Sequence, residues 1–310
     1  MEPGYLELHA RGELGKRIER ALEIIGSCEM CPRLCRVDRH SGEKGFCRTG
    51  RNAVVSSYNP HFGEEAPLVG HGGSGTIFFT NCNLLCLFCQ NYEISHLGLG
   101  EEVAPKVLAR MMVQLQNWGC HNVNFVTPSH VVAQILEALP TAIELGLRVP
   151  LVYNTGGYDR VETLRLLEGV FDIYMPDVKF LNSQVAERLC GAPDYPEVVK
   201  KALREMHRQV GDLVIDERGI AKRGLLVRHL VMPNGLAQSK EVMEFLAREV
   251  SANTYVNIMD QWRPCGEAHS HPDLSRRISA DEYREAIDAA RTCGLHRLDS
   301  RSMIRIRRLW

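Results

Sequence analysis

Residues 75–91 read GTIFFTNCNLLCLFCQN and place Cys82, Cys86 and Cys89 in the spacing C-x3-C-x2-C directly after a strand-like apolar run. Iron–sulfur clusters are built on cysteine sulfur. A [4Fe–4S] cube has four irons, so three cysteines leave one iron open, as in a catalytic rather than a structural metal site. The alternatives are a chance grouping and a zinc site, although zinc motifs more often show paired C-x2-C knuckles. The spacing therefore predicts a catalytic [4Fe–4S] cluster.

The composition is that of a folded, globular protein. Hydrophobic residues make up 45% of the 310 residues, and the formal net charge is −1. This balance gives no reason to expect attraction to nucleic acid or to a membrane surface. The sequence has no run of eighteen apolar residues, and its N-terminus lacks the basic and then apolar plan of a signal peptide. We therefore expect a soluble, cytoplasmic protein.

A second cysteine cluster lies near the N-terminus, with Cys28, Cys31, Cys35 and Cys47 in the spacing C-x2-C-x3-C-x11-C. Two tight clusters in an intracellular protein indicate metal binding rather than disulfides. Four thiols can close tetrahedrally on zinc or hold a complete [4Fe–4S] cluster. Zinc would stabilise a segment too small to fold alone, whereas a cluster would add an electron relay. The pattern leaves both open, with zinc favoured.

Three segments are predicted along the chain. Residues 1–50 form an N-terminal unit, with an amphipathic helix over 13–26 and the four-cysteine cluster. Residues 51–74 are rich in Gly, Pro and Asn and are expected to be an extended connector. Residues 75–310 form the main domain and a C-terminal extension. Four connector residues are candidate ligands, although surface or hydrogen-bonded roles are the more frequent ones in such a loop: His61, Glu64, Glu65 and His71.

From Gly75 onward, strand-like and helix-like segments alternate. The predicted strands cover residues 75–80, 122–127, 148–153, 171–175, 224–231 and 254–259. Amphipathic helical patterns lie between them, and Ser279 with Glu282 forms a capping box ahead of the last helix. Strands that alternate with helices predict an α/β fold with a parallel sheet and right-handed crossovers, either an open doubly wound sheet or a partial barrel.

Polar side chains cluster where the predicted strands end, which is where α/β barrels place their working residues. The first strand runs into the cysteine loop. The ends of the next four strands supply the remaining candidates: Thr127 and His130; Asn154; Asp177 and Lys179; Arg228 and His229. We expect these side chains to meet at one rim.

These motifs together resemble the PflX-like branch of the radical S-adenosylmethionine (radical SAM) proteins, relatives of pyruvate formate-lyase activating enzyme. The resemblance runs from about Cys28 to the C-terminus, and the cysteine loop is its most specific part. It implies a partial (β/α)6 barrel whose Cys82, Cys86 and Cys89 ligate the cluster. S-adenosylmethionine (SAM) would chelate the fourth iron, and its reductive cleavage would give methionine and a 5′-deoxyadenosyl radical that abstracts hydrogen from a substrate.

The resemblance also implies roles for individual residues. Lys179, in an Asp177-Val178-Lys179 segment, would meet the carboxylate of SAM. Asn154 stands where the activating enzyme has an aspartate, and its amide can bind a ribose hydroxyl. Phe88 would pack near the adenine.

Other positions depart from the family pattern. Thr127 to His130 replace the Gly-Gly-Glu segment that receives the SAM amine in many relatives. Arg228 and His229 are candidates for the substrate side or for the sulfonium end of SAM, with structural ion pairing as the alternative.

Partners are less defined. An electron donor such as flavodoxin or ferredoxin is expected, with a protein or small-molecule substrate. Glycyl-radical activation is not assumed, because the later cysteines are scattered and are better explained as free thiols: Cys120, Cys190, Cys265 and Cys293. A third metal site of Cys265 with His269 and His271 is a minor alternative. The competing function is that of an iron–sulfur electron carrier or redox sensor. Contact with nucleic acid through the basic residues 304–310 is a further alternative.

Overall fold

The computed structural model describes residues 2–299, so the basic segment 304–310 lies outside the described residues. Nine strands form one sheet in this part of the chain. The strands are β1 (Ala53–His61), β2 (Ser74–Phe79), β3 (Glu101–Val103), β4 (Val123–Val126), β5 (Leu151–Thr155), β6 (Ile173–Pro176), β7 (Val214–Ile215), β8 (Ala221–Leu230) and β9 (Tyr255–Met259).

The six predicted strands are confirmed as β2, β4, β5, β6, β8 and β9, with ends that differ by up to three residues. They follow one another in this order across the sheet, and every neighbouring pair is parallel. An α/β fold with a mostly parallel sheet is therefore confirmed. Apolar runs of four to eight residues between helical patterns are the signal of such buried strands.

Helices precede the sheet and connect its strands, and they bury apolar side chains in the core. They are α1 (Gly4–Ala10), α2 (Glu13–Gly26), α3 (Ala66–Val69), α4 (Tyr92–Ser95), α5 (Pro105–Asn117), α6 (Val132–Glu144), α7 (Val161–Leu166), α8 (Ser183–Cys190), α9 (Tyr195–Val210), α10 (Ser239–Phe245) and α11 (Ala280–Thr292). The predicted helix over 13–26 is α2, and the predicted capping box of Ser279 and Glu282 begins α11.

The segment expected to be a connector, residues 51–74, contains strand β1. This strand pairs antiparallel with β2 on one side and with β3 on the other, so it belongs to the main sheet. Its sequence, AVVSSYNPH, mixes apolar residues with Ser, Asn and Pro, which are typical of turns. Sequence patterns missed it because β1 carries neither the continuous apolar run of a buried parallel strand nor a strict alternation of apolar and polar residues.

Leu68 of α3 packs against one face of the sheet. Leu68 is fully buried in a small core with inward side chains from four successive strands: Val152, Ile173, Leu226 and Tyr255. Alternate residues of a strand share a face, so the residues two positions further on, Asn154, Arg228 and Asn257, face the same way. The inner face therefore changes from apolar to polar towards the C-terminal ends of the strands.

The N-terminal segment contacts loops of the main domain. Arg39 is 1% exposed and donates hydrogen bonds from Nε to the backbone oxygen of Gly50 and from Nη1 to that of His130. Tyr5 donates to the backbone oxygen of Val149. Within residues 2–299, no helix is long and apolar enough to cross a membrane.

Candidate functional site

A pocket of about 510 Å³ opens at the C-terminal ends of β4, β5, β6, β8 and β9. Parallel α/β sheets place ligands at this edge, because the loops that follow the strands converge there. Cys82, Cys86 and Cys89 all line the pocket. The structure thus brings the three predicted cluster ligands to the predicted rim.

Two residues of the cysteine loop adopt the left-handed conformation, Asn81 with φ 71° and Leu85 with φ 53°. These turns fold the loop back so that backbone and side-chain donors reach its sulfurs. The N–H of Leu84 donates to Sγ of Cys82 at 3.3 Å, and Oγ of Ser95 donates to Sγ of Cys89 at 3.2 Å. Such hydrogen bonds stabilise thiolate charge.

Burial opposes the ionisation of all three thiols of the loop. Burial raises the pKa of the Cys82 thiol to about 12. A hydrogen bond with Cys190, whose Sγ lies 3.3 Å away, and burial raise the pKa of Cys86 well above its usual value. Metal ligands must be deprotonated, so binding here would release protons.

The donor set of the loop fits an iron–sulfur cluster. Across the described chain, no three His, Cys, Asp or Glu side chains converge on one point as ligands of a single ion do. A cluster places a different iron against each thiolate, and three cysteines that line one pocket supply thiolates of the kind that hold it. Cys265, His269 and His271 likewise do not form a group of converging ligands in the described structure.

Asp177 is the centre of a charged network on the pocket wall. One carboxylate oxygen accepts from Nε of Arg228 at 2.8 Å, and the other accepts from Nζ of Lys179 at 2.8 Å. Nη2 of Arg228 also donates to Oδ1 of Asn154 at 2.7 Å. All four predicted residues therefore lie in one connected group that lines the pocket.

Electrostatics keeps this network ionised. Burial opposes the charge of Asp177, but Arg228 and Lys179 outweigh it, and the pKa of Asp177 lies below its ordinary value. Burial likewise opposes the charge of Lys179, but the Asp177 carboxylate raises the pKa of Lys179 well above its ordinary value. A desolvated cation of this kind is strong enough to hold a ligand carboxylate.

Phe88 and Thr127 also line the pocket. The ring of Phe88 lies 5.4 Å from that of Trp262 in a tilted arrangement. Thr127 has φ 61°, and its N–H donates to the backbone oxygen of Asn154 at 2.9 Å. Of the 127–130 segment, Thr127 is the one residue that reaches the pocket.

The two predicted histidines lie elsewhere. His130 is buried, and its Nε2 lies 3.0 Å from the backbone oxygen of Thr80. His229 is also buried, with Nδ1 2.8 Å from the backbone oxygen of Val178 and Nε2 2.9 Å from Oγ of Ser239. Because side chains alternate along a strand, His229 points away from the face that carries Arg228. The expected cofactor contacts of both histidines find no support in these positions.

The structure brings the four N-terminal cysteines together. Cys28, Cys31, Cys35 and Cys47 surround a cavity of about 10 Å³, separate from the large pocket. Burial raises the pKa of the Cys31 thiol to about 12. The N–H of Phe46 donates to Sγ of Cys35 at 3.3 Å. The sulfurs of these cysteines do not converge on one point as the ligands of a single ion do. Metal binding would therefore have to bring them closer together.

Glu64 and Glu65, two of the four connector residues named as candidate ligands from the sequence, line the large pocket as well. Oε2 of Glu64 lies 3.7 Å from Nη1 of Arg228. Oε1 of Glu65 accepts a hydrogen bond from Nδ2 of Asn257 at 2.8 Å. These two acids extend the charged wall beyond Arg228.

Comparisons with known proteins indicate the family of the chain. The sequence model of the radical SAM superfamily matches residues 76–218. The chain is also 34% identical over 277 residues to "Uncharacterized protein MJ0674" of Methanocaldococcus jannaschii, a match that covers 86% of this chain and 74% of the relative. The chain belongs to the radical SAM superfamily.

Membership of the radical SAM superfamily implies a [4Fe–4S] cluster and SAM. Among solved structures, one described as "Native anSMEcpe with bound AdoMet" is similar with a TM-score of 0.47 and 11% identity. The similarity covers 69% of this chain, and the chain spans 57% of that structure's length. The finer placement in the PflX-like branch stays a prediction.

Proposed function

We propose that this radical SAM protein is an enzyme that reductively cleaves SAM and uses the resulting radical to abstract hydrogen from a substrate. The observation that carries the proposal is the shared pocket: the cysteine loop and the Asp177, Lys179 and Arg228 network line one cavity of about 510 Å³. An electron carrier needs no such cavity beside its cluster. The volume lies within the range of small-molecule sites, about 300–1,000 Å³.

Cys82, Cys86 and Cys89 would hold the cluster. When bound, the cluster supplies an electron to the sulfonium of SAM and an open iron that the amine and carboxylate of SAM can chelate. The hydrogen bonds from Leu84 and Ser95 to the sulfurs fix the loop.

The other residues of the pocket bind and orient SAM. Lys179 neutralises its carboxylate, because Asp177 and burial hold the ammonium in place and charged. The amide of Asn154 is positioned by Arg228 to meet a ribose hydroxyl. Phe88, supported by Trp262, gives the adenine an apolar surface. Thr127 replaces the usual acidic residue near the amine.

The same proposal includes four finer features. The mostly parallel sheet, with Leu68 packed against one face, forms the partial (β/α)6 barrel of the superfamily. The protein is related to pyruvate formate-lyase activating enzyme through the PflX-like branch. A flavodoxin or ferredoxin supplies the electron. The four N-terminal cysteines bind a second metal group.

Electron paramagnetic resonance tests the proposal. We expect the reduced, reconstituted protein to show a [4Fe–4S]⁺ signal that SAM perturbs, because SAM binds the open iron. The Cys86→Ala variant should lose the signal, whereas Cys293→Ala, which removes a cysteine outside both clusters, should keep it. A cluster signal that saturating SAM leaves unchanged would favour the electron-carrier alternative.

A further inference from the structure

Glu65 has a carboxylate oxygen that the protein leaves without a partner. The residue is 3% exposed and lines the large pocket. Its Oε1 accepts from Asn257, but Oε2 is buried and has no hydrogen-bond partner. Buried polar atoms are almost always paired in folded proteins, so an orphaned carboxylate oxygen at a pocket wall indicates a missing ligand group.

The charges around Glu65 define the kind of group that is missing. Three carboxylates and two cations line the pocket, an excess of one negative charge: Glu64, Glu65, Asp177, Lys179 and Arg228. Arg228 donates its hydrogen bonds to residues other than Glu65, from Nε to Asp177 and from Nη2 to Asn154. Burial accordingly raises the pKa of Glu65 to about 7. A ligand cation would complete this charge arrangement.

The position of Glu65 separates it from the proposed SAM carboxylate site. Lys179 and Leu84 of the cysteine loop both lie close to Gly156. A Cβ atom built on Gly156 would be 3.7 Å from Cε of Lys179 and 3.6 Å from Cδ2 of Leu84, so Lys179 lies on the cysteine side of the pocket. Glu65 instead binds Asn257 of β9, and β8 with Arg228 lies between β6 and β9 in the sheet. The pocket thus has a cationic group on its cysteine side and an unpaired anion on the side of β9.

We propose that Glu65 binds the protonated amine of the substrate and selects for substrates that carry an aliphatic ammonium group. This inference rests on the proposed function, because it takes the cysteine side of the pocket as the SAM site. The ammonium donates a hydrogen bond to Oε2 of Glu65 and is held there by charge, while Asn257 keeps the carboxylate oriented.

The test is a calorimetric titration of the cluster-containing protein with n-pentylamine and with 1-pentanol, with and without SAM. Glu65→Gln removes the charge and keeps the shape, and Glu65→Asp keeps the charge. Glu137→Gln is the matched control, because Glu137 also has a buried oxygen without a partner but lies outside the pocket. We expect the wild type to bind the amine and Glu65→Gln to bind it about tenfold or more weakly. The Glu65→Asp and Glu137→Gln variants should retain the preference for amine over alcohol.

Equal amine binding by the wild type and Glu65→Gln, or equal binding of amine and alcohol by the wild type, overturns the proposal. Weaker SAM binding by Glu65→Gln, without a change in amine binding, assigns Glu65 to the cofactor and also overturns it. Failure of the wild type to bind SAM contradicts the proposed function instead. The titrations without SAM then still decide whether Glu65 recognises an amine.

Discussion

Nε of Arg33 donates a hydrogen bond to the backbone oxygen of Asn83 at 2.9 Å. Arg33 lies between two cysteines of the N-terminal cluster, and Asn83 lies between two cysteines of the catalytic loop. The same guanidinium donates to the backbone oxygens of Cys190 at 3.0 Å and Gly191 at 2.6 Å. The N-terminal segment therefore clamps the cysteine loop to the end of α8.

Replacing Arg33 with Lys should loosen the cysteine loop. A lysine ammonium lacks the planar fork that reaches several carbonyl oxygens at once. We expect iron to pass to a chelator roughly threefold to tenfold faster than in the wild type, the equivalent of one or two lost hydrogen bonds. Arg20→Lys, at an exposed helix ion pair with Glu23, is the control. Equal release rates in both variants would show that the clamp does not stabilise the cluster.

Replacing Lys179 with Met should weaken SAM binding while the iron content is retained. The substitution removes the ammonium that we assign to the SAM carboxylate and leaves Asp177 with Arg228 alone. We expect affinity for SAM to fall about tenfold or more in equilibrium dialysis. Lys200→Met, at a helix position that pairs with Glu197, should bind SAM normally. Unchanged affinity in Lys179→Met would remove Lys179 from the site.

Metal analysis should find four irons and one zinc per chain. The four N-terminal cysteines surround one small cavity, and four thiolates can close tetrahedrally on a single zinc, which would stabilise this short segment. Cys31→Ser should lose zinc and keep iron, and Cys86→Ser should do the reverse. Eight irons and no zinc in the anaerobically purified protein would assign a second cluster to the N-terminal segment.

Acid should destabilise the protein in part through His229. Burial lowers the pKa of His229 to about 4, from 6.5 in the unfolded chain. Below pH 6.5 the unfolded state binds the extra proton, so stability falls as pH falls towards 4. Between pH 7 and pH 5 the loss from this residue is about 2 kcal/mol. Urea unfolding of His229→Gln, a neutral replacement, should show a smaller loss over that range than the wild type. An identical loss would contradict this origin.

The parallel core of the fold was predictable because its strands carry strong local patterns. Residues 75–80 and 122–127 are short apolar runs that end in loops with Cys, Thr or Asn, and both facts can be read in sequence. Strand β1 was not predictable, because its pairing with β2 and β3 depends on partners rather than on its own residues.

Within the site, the contacts between residues close in sequence could be predicted, and the long-range contacts could not. Lys179 and Asp177 stand two residues apart at a strand end, so their pairing is local. Glu65 enters the pocket through a contact with Asn257, 192 residues later in the chain. His130 follows strand β4 and His229 lies within β8, but both side chains point away from the pocket, because the direction of a side chain depends on the pairing register and the loop conformation.

Release of 5′-deoxyadenosine from SAM tests the central claim most directly. The anaerobically reconstituted protein is mixed with SAM and a strong reductant, beside a Cys82→Ala/Cys86→Ala/Cys89→Ala control. We predict release by the wild type and none by the control, because the three thiols hold the cluster that delivers the electron. Intact SAM in the presence of a verified, reducible cluster would contradict the account.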